Sequence, residues 1–215
     1  MTRSLTASPG LRAAYAVARR EAAAPRAFTI AGVELVIGAA APASAGTLRL
    51  RSSPSPVSFD RRQGLALRKV FEQWWPAERA AALDVLELTA TAGAYGLLAA
   101  RLGARRVTLV GDSLATARLL SENAARNGLA AQVRTRLPAS AARFDLIVVD
   151  CCACASPARL RALGGRLRRG GALLVHGFPR SFEAAVRGCH RGPWQTGWVD
   201  ESCFALTTTA RKGGR

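Results

Sequence analysis

Between residues 84 and 150 the apolar positions come in strand-length and helix-length runs that alternate, and their order predicts the fold. Residues 85–88 (VLEL) form a short buried run that ends on the small-residue turn Thr89-Ala90-Thr91-Ala92-Gly93. A helix over 94–102 follows, with Gly103 in the position that suits a left-handed helix end. Residues 107–110 (VTLV) give a second strand, and Ser113 is placed to cap a helix that runs to Asn127 and is closed by Gly128. Residues 132–135 suit a third, edge-like strand. Residues 144–150 (FDLIVVD) are apolar on both faces, as a central parallel strand must be.

Further on, the spacing predicts a helix over 159–169 ended by Gly170-Gly171, then a fifth strand in ALLVHGF and a last helix over 181–190. Residues 194–199 and 204–208 suit an antiparallel pair closing the sheet, with RKGGR as a basic tail at 211–215 beyond it. Strands alternating with helices in this order define an α/β protein with a Rossmann-like, doubly wound, mostly parallel sheet.

The segment ahead of that sheet has a different rhythm. FTIAGVELVI, turning at Gly32, and TLRLR, where Leu48 and Leu50 alternate with Arg49 and Arg51, suggest a β-hairpin extension over 28–53 laid on the main sheet. Ser58 suits an N-cap, and Leu67, Val70, Phe71 and Trp74 fall at one-faced helical spacing, so a helix should cover the sheet here. That spacing makes Trp74 and its neighbour Trp75 core and edge residues before it makes them a stacking platform. The organisation expected is an arm over 1–27 and a single domain over 28–215, with its core at 54–210.

Charge then changes the picture. The formal net charge is +17, and of 31 basic residues only Lys69 and Lys212 are lysine. A bias in codon usage accounts for arginine in place of lysine, but not for the excess over 14 acids. So large a surplus is most easily tolerated beside a polyanion, with RNA or DNA first and an acidic membrane or protein behind it. The densest run is Arg159, Arg161, Arg166, Arg168 and Arg169; with Arg61 and Arg62 it forms the candidate RNA-binding set. Residues 1–27 carry five arginines against the single acid Glu21. Three readings fit that arm: an organelle-targeting segment, a basic arm lying on RNA, or a frayed surface helix.

No apolar run reaches the roughly 18 residues of a membrane span, so a soluble chain is expected. The five cysteines (151, 152, 154, 189 and 203) are odd in number and crowded, unlike a secreted disulfide framework, which points to a reducing, intracellular setting; the targeting-like arm over 1–27 favours a mitochondrial or other organellar compartment. Adjacent thiols at 151, 152 and 154 do not have the spacing of a tetrahedral metal knuckle even with His176, Cys189 and His190 nearby, so no metal site is expected.

Successive strand–turn–helix units put a ligand crevice at the carboxyl ends of the first, second and fourth strands of the sheet. The order of elements over 54–210, with ENAARNGL at 122–129 and its distance to FDLIVVD, resembles the class I S-adenosylmethionine-dependent methyltransferases. Within them the chain is most similar to the tRNA guanine-N2 dimethyltransferases. Their first motif, approximately D-A-L-A-A-T-G-L-R-G, is matched here by Glu87 to Gly96, which keeps the acid, the small run, Gly93 and Gly96. SPVSFDRRQ at 55–63 is similar to a second motif of that family, N-P-V-x-x-F-N-R-D.

The resemblance implies S-adenosylmethionine as cofactor if the pocket is intact, and otherwise none. It implies Glu87, Thr89, Thr91, Gly93 and Asp112 as cofactor-binding residues, and Asp150 as the catalytic acceptor for an exocyclic amine. The departures are as informative. The acid that accepts hydrogen bonds from the cofactor ribose should stand at 111, where the chain has Gly111, with Asp112 one step late. No acid follows the third strand, and the D-P-P-Y type motif reads Asp150-Cys151-Cys152-Ala153, without its proline and its stacking aromatic. A flipped base needs a flat partner, and Tyr95 is no ready replacement.

The expectation is therefore a methyltransferase-fold RNA-binding protein, non-catalytic or weakly catalytic, in an RNA-rich, ribosome-like assembly. Its partners would be tRNA or rRNA and other protein subunits. Two alternatives stay open: an active guanine-N2 tRNA or rRNA methyltransferase, and a scaffold subunit of an organellar complex.

Overall fold

The computed structural model describes residues 26–30, 32–37, 47–51, 67–74, 82–129, 131–134, 136–139, 141–150, 157–176, 194–200 and 203–208. Its centre is β4 (Asp84–Thr89), buried along its whole length. Parallel to it on one side run β5 (Arg106–Gly111) and the edge strand β6 (Gln132–Arg134); on the other run β7 (Phe144–Asp150) and β8 (Leu167–His176). The antiparallel strands β10 (Cys203–Thr208) and β9 (Trp194–Asp200) complete a seven-stranded sheet of order β6-β5-β4-β7-β8-β10-β9.

Both faces are covered. Helices α1 (Ala94–Arg101) and α2 (Leu114–Arg126) lie on the face of Val85, Val107, Leu109 and Val148, while α3 (Pro157–Gly164) lays Leu160 and Leu163 on Leu86, Leu88, Ile147 and Val149. Each fully buried leucine or valine of these two layers removes roughly 1.5–3 kcal/mol worth of apolar surface from water. The doubly wound sheet expected from the alternation is what forms, with Ser113 capping α2 through the Thr116 amide and Gly128 following it at φ 62.

The hairpin is present as β1 (Arg26–Ile30) against β2 (Val33–Ile37), turning at Gly32. TLRL adds a third strand, β3 (Thr47–Leu50), parallel to β2. Ile30, Leu35, Ile37, Leu48 and Leu50 of this small sheet join Leu67, Val70, Phe71 and α1 in one core cluster. Where a helix is expected around Leu67, Leu67 and Arg68 are helical and Lys69–Trp74 is wound as a π-helix in place of a regular α-helix. Ser58, Trp75, the arm over 1–25, the helix expected at 181–190 and the tail at 211–215 lie outside the described residues.

One expectation is corrected. There is no arginine-rich helix over 159–169: α3 stops at Gly164, where the Gly165 amide donates to the Arg161 carbonyl and the Arg166 amide to that of Leu163. From Leu167 the chain is strand β8, paired with Phe144 of β7, and Gly170-Gly171 is an irregularity within that strand where the register with β7 shifts. A Cβ at Gly171 would stand 2.8 Å from the Asp145 carbonyl oxygen, so strand contact decides this segment. Gly164-Gly165, directly after Leu163, is the local signal that marks the change.

Among the described residues no helix is long and apolar enough to cross a membrane.

Candidate functional site

The chain leaves β4 through α1 to β5 on one side and later returns to β7 on the other, so the sheet switches direction at the carboxyl end of β4. Open α/β sheets bind ligands at such a point. Here Thr89 ends β4, with Gly111 of β5 and Asp150 of β7 as its register neighbours. The Asp150 side chain lies outside what the structure describes; its backbone stands where a residue acting on a ligand in this crevice belongs.

The first turn folds in on itself. Thr89 Oγ1 accepts the Thr91 amide at 2.9 Å and lies 2.9 Å from Thr91 Oγ1, and both threonines are buried. These are positions where the glycine-rich form of the turn would let a ligand reach backbone amides. The amide of Thr91 is already used. Gly93 then takes φ 75, a conformation that side-chain-bearing residues rarely adopt, and opens α1.

Glu87 sits beneath that helix start, fully buried, and its Oε2 accepts the Gly96 amide at 2.6 Å. A carboxylate against free amides of a first turn stabilises the helix and fixes its angle to the sheet. Tyr95 is fully buried in the core and offers no face to a base.

At the end of β5 the space is taken. A Cβ built on Gly111 would stand 2.7 Å from the Ala117 amide nitrogen and 3.1 Å from its Cα, and backbone cannot swing aside as a side-chain tip can. The first turn of α2 therefore occupies the place from which an acid at 111 would project. Asp112 is exposed and engaged locally: its amide donates to the Thr89 carbonyl at 3.2 Å, and its Oδ1 accepts the Thr116 hydroxyl at 2.6 Å. With Ser113 Oγ accepting the Thr116 amide at 3.1 Å, these groups form a closed N-terminal cap for α2.

Two residues that the sequence reading treated only as part of a motif hold the site to the small sheet. Asn123 Oδ1 accepts the Arg51 amide at 2.8 Å, while its Nδ2 donates to the Arg51 carbonyl and to that of Ala92 in the first turn. Asn127 repeats the pattern four residues on, accepting the Arg49 amide and donating to the Arg49 carbonyl. The two amides act as a short surrogate strand along β3. The available signal was polar asparagine at an i, i+4 spacing beside buried Leu120 and Ala124, where an ordinary helix face would be apolar.

The candidate arginines scatter. Arg161 and Arg169 are exposed on α3 and β8, and Arg159 is half-buried on α3. Arg166 donates to the Pro138 carbonyl at 3.0 Å. Arg168 lies at the amino-terminal edge of the sheet, its guanidinium shared between Asp84 at 2.7 Å and Asp145 at 2.6 Å. Asp84 also accepts from Arg105 and Arg106. Burial raises its carboxyl, but hydrogen bonds from Arg105 and Arg168 and the charge of Arg106 outweigh it, so the pKa falls below the ordinary aspartate value. Arg61 and Arg62 lie outside the described residues, as do Cys151, Cys152, Cys154, Cys189 and His190. Among the described residues no cluster of His, Cys, Asp and Glu could hold a metal.

No family model and no curated protein matches the sequence. Solved structures do match. The 16S rRNA guanine-N2 methyltransferase RsmC of T. thermophilus, solved with AdoMet and guanosine, is similar at 26% identity and a TM-score of 0.62, over 87% of this chain and 50% of that one. The ribosomal protein L11 methylase of Lactobacillus delbrueckii subsp. bulgaricus is similar at 20% identity and a TM-score of 0.59, over 80% of this chain and 92% of that one. The chain thus spans half the length of the first. Sheet order, turns and these likenesses agree: the chain belongs to the class I S-adenosylmethionine-dependent methyltransferase superfamily.

Proposed function

We propose that this chain is an RNA-binding protein built on the methyltransferase fold whose cofactor crevice is closed, acting as a non-catalytic or weakly catalytic component of an RNA-rich, ribosome-like assembly. The observation that carries this reading is the backbone of Ala117 standing 2.7 Å from where a side chain at 111 would begin. The ribose acid of the superfamily is missing from the sequence, and the fold has filled its place. The self-closed Thr89–Thr91 turn points the same way. These residues do not fit S-adenosylmethionine as the superfamily holds it. RNA as partner is supported by the net charge of +17 and by likeness to a protein named for its action on 16S rRNA.

Calorimetric titration with S-adenosylmethionine and S-adenosylhomocysteine, paired with thermal melts, tests the closed crevice. The expected result is no heat and no change in Tm at millimolar ligand. A ligand present at a hundred times its Kd would add about 2.7 kcal/mol and raise Tm by roughly 5–10 °C, which would overturn the reading.

One observation favours a second reading, an active guanine-N2 RNA methyltransferase: Asp150 ends β7 beside Thr89, where an acceptor for an exocyclic amine would stand. Under that reading Asp150→Ala abolishes methyl transfer to guanine in an RNA substrate. A transfer rate unaltered by the substitution removes Asp150 from the chemistry.

A further inference from the structure

Beside the crevice, on the outer edge of the sheet, α2 and β6 enclose an open groove of about 670 Å³, within the span of roughly 300–1,000 Å³ typical of ligand sites. Its lining includes Leu114, Val133 and Leu137 as apolar surface, and Arg118, Arg134 and Arg136 as cations. Leu114 is 62% exposed, and among the described residues it is the only large hydrophobic side chain so open to water. All three arginines are exposed, and none makes an ion pair or side-chain hydrogen bond among the described residues. The groove's acid, Glu122, is engaged by Arg51 at 2.9 Å.

This contrasts with the arginines at the amino-terminal ends of the strands, where Arg105, Arg106 and Arg168 are held by Asp84 and Asp145. In the groove, cations without a counterion among the described residues surround an apolar floor. A polyanion that also carries flat apolar faces satisfies both at once, and single-stranded RNA has that chemistry, whereas a duplex hides its base faces. An acidic peptide would meet the charge and leave Leu114 wet unless it also carried an apolar residue.

We propose that this groove holds a single-stranded segment of RNA, with phosphates on Arg118, Arg134 and Arg136 and one unstacked base against Leu114 and Leu137. The inference rests on the RNA-binding reading above and locates it on one surface. That surface is neither the closed crevice nor the run of arginines around 159–169.

The test is fluorescence anisotropy of the full chain with a fluorescein-labelled, uridine-rich oligoribonucleotide of about 12 nucleotides, repeated across a salt series. Single-strand binding loses about 0.7 in the slope of log affinity against log salt per phosphate contact. The variant carrying Arg118→Ala, Arg134→Ala and Arg136→Ala should flatten that slope by about 2, with an unaltered melt, since the three side chains are exposed and have no ion pair among the described residues. Arg126→Ala, one exposed charge removed at the far end of α2, should leave the slope in place. Leu114→Ala should weaken binding without changing the slope.

A triple variant with the wild-type slope overturns the groove and leaves RNA binding standing. Wild-type protein with no salt-dependent affinity for the oligonucleotide overturns both. Polyglutamate displacing the probe as readily as polyuridylate at equal charge assigns the groove to an acidic protein, and displacement by S-adenosylmethionine assigns it to the nucleoside. Either of these outcomes also rejects the proposal.

Discussion

The two edges of the parallel sheet spend their polar groups in opposite ways. At the amino-terminal edge Asp84 and Asp145 gather Arg105, Arg106 and Arg168 across β4, β5, β7 and β8, a network between strands. At the carboxyl-terminal edge, where this architecture places ligands, the side chains of Thr89, Thr91, Asp112, Ser113 and Thr116 bond to neighbours a few residues away. The first edge holds strands together. The second has the outline of a binding site in which the described side chains of the first turn and of the α2 cap bond to one another.

The largest effect that would break this contrast is expected at Gly111. Gly111→Glu restores the residue type that the superfamily's ribose contact requires, but its Cβ must displace the backbone of α2 at Ala117. Overpacking against backbone costs about 3 kcal/mol, read as a fall in Tm of roughly 6–12 °C, and no affinity for S-adenosylmethionine should appear. A variant that melts like the parent and binds the cofactor would show that α2 yields readily and that the crevice is closed by one residue alone.

Next in size is Asp84, which tests whether the other edge is as structural as it looks. Asp84→Asn keeps the shape and removes the charge that three guanidinium groups share, costing about 2 kcal/mol at neutral pH. The pH dependence has a definite sign. The folded pKa lies below the ordinary 3.8, so the carboxylate's contribution is complete above about that pH and is lost as the pH falls through the lower folded value. Melts between about pH 5 and 2 should converge for the two proteins at the acid end. If the two curves stay parallel, the stability lies in packing and not in the ionised pair.

The contrast between the edges was only half visible in the sequence. Strands β4, β5 and β7, the caps at Ser113 and Gly128, and the position of the crevice follow from short-range signals: an apolar run, a small-residue turn, a hydroxyl before a helix. The missing acid at Gly111 was also readable, though not that Ala117 fills its place, because that depends on how closely α2 approaches β5.

Arg166, Arg168 and Arg169 continue the charge run of α3 past Gly164-Gly165, the local signal that ends that helix, and pairing with β7 makes the segment from Leu167 a strand. Asn123 and Asn127 could be seen as an odd pair, but their partners Arg49 and Arg51 are more than 70 residues away. The same holds for the groove. Arg118 is on α2, while Arg134 and Arg136 are on and after β6, so this set is dispersed in the sequence and only the fold assembles it.

The smallest effect is the one that separates a cap from a contact. Asp112 stands one position after the missing acid, and from sequence alone it could be that acid displaced along the chain. In the fold its carboxylate takes the Thr116 hydroxyl, and the same hydroxyl lies 2.9 Å from Ser113 Oγ, both within the first turn of α2. Asp112→Asn keeps an acceptor for Thr116 and loses only a negative charge at a helix amino terminus, which is worth about 0.5 kcal/mol and a Tm shift of roughly 1–2 °C. That shift should shrink in high salt, because the residue is exposed and its field is screened. A ribose contact would behave otherwise: the melt of the free protein would barely respond, and a measurable affinity for S-adenosylmethionine or S-adenosylhomocysteine would be lost with the charge. A small, salt-sensitive stability change with no ligand affinity on either side of the substitution assigns Asp112 to the helix.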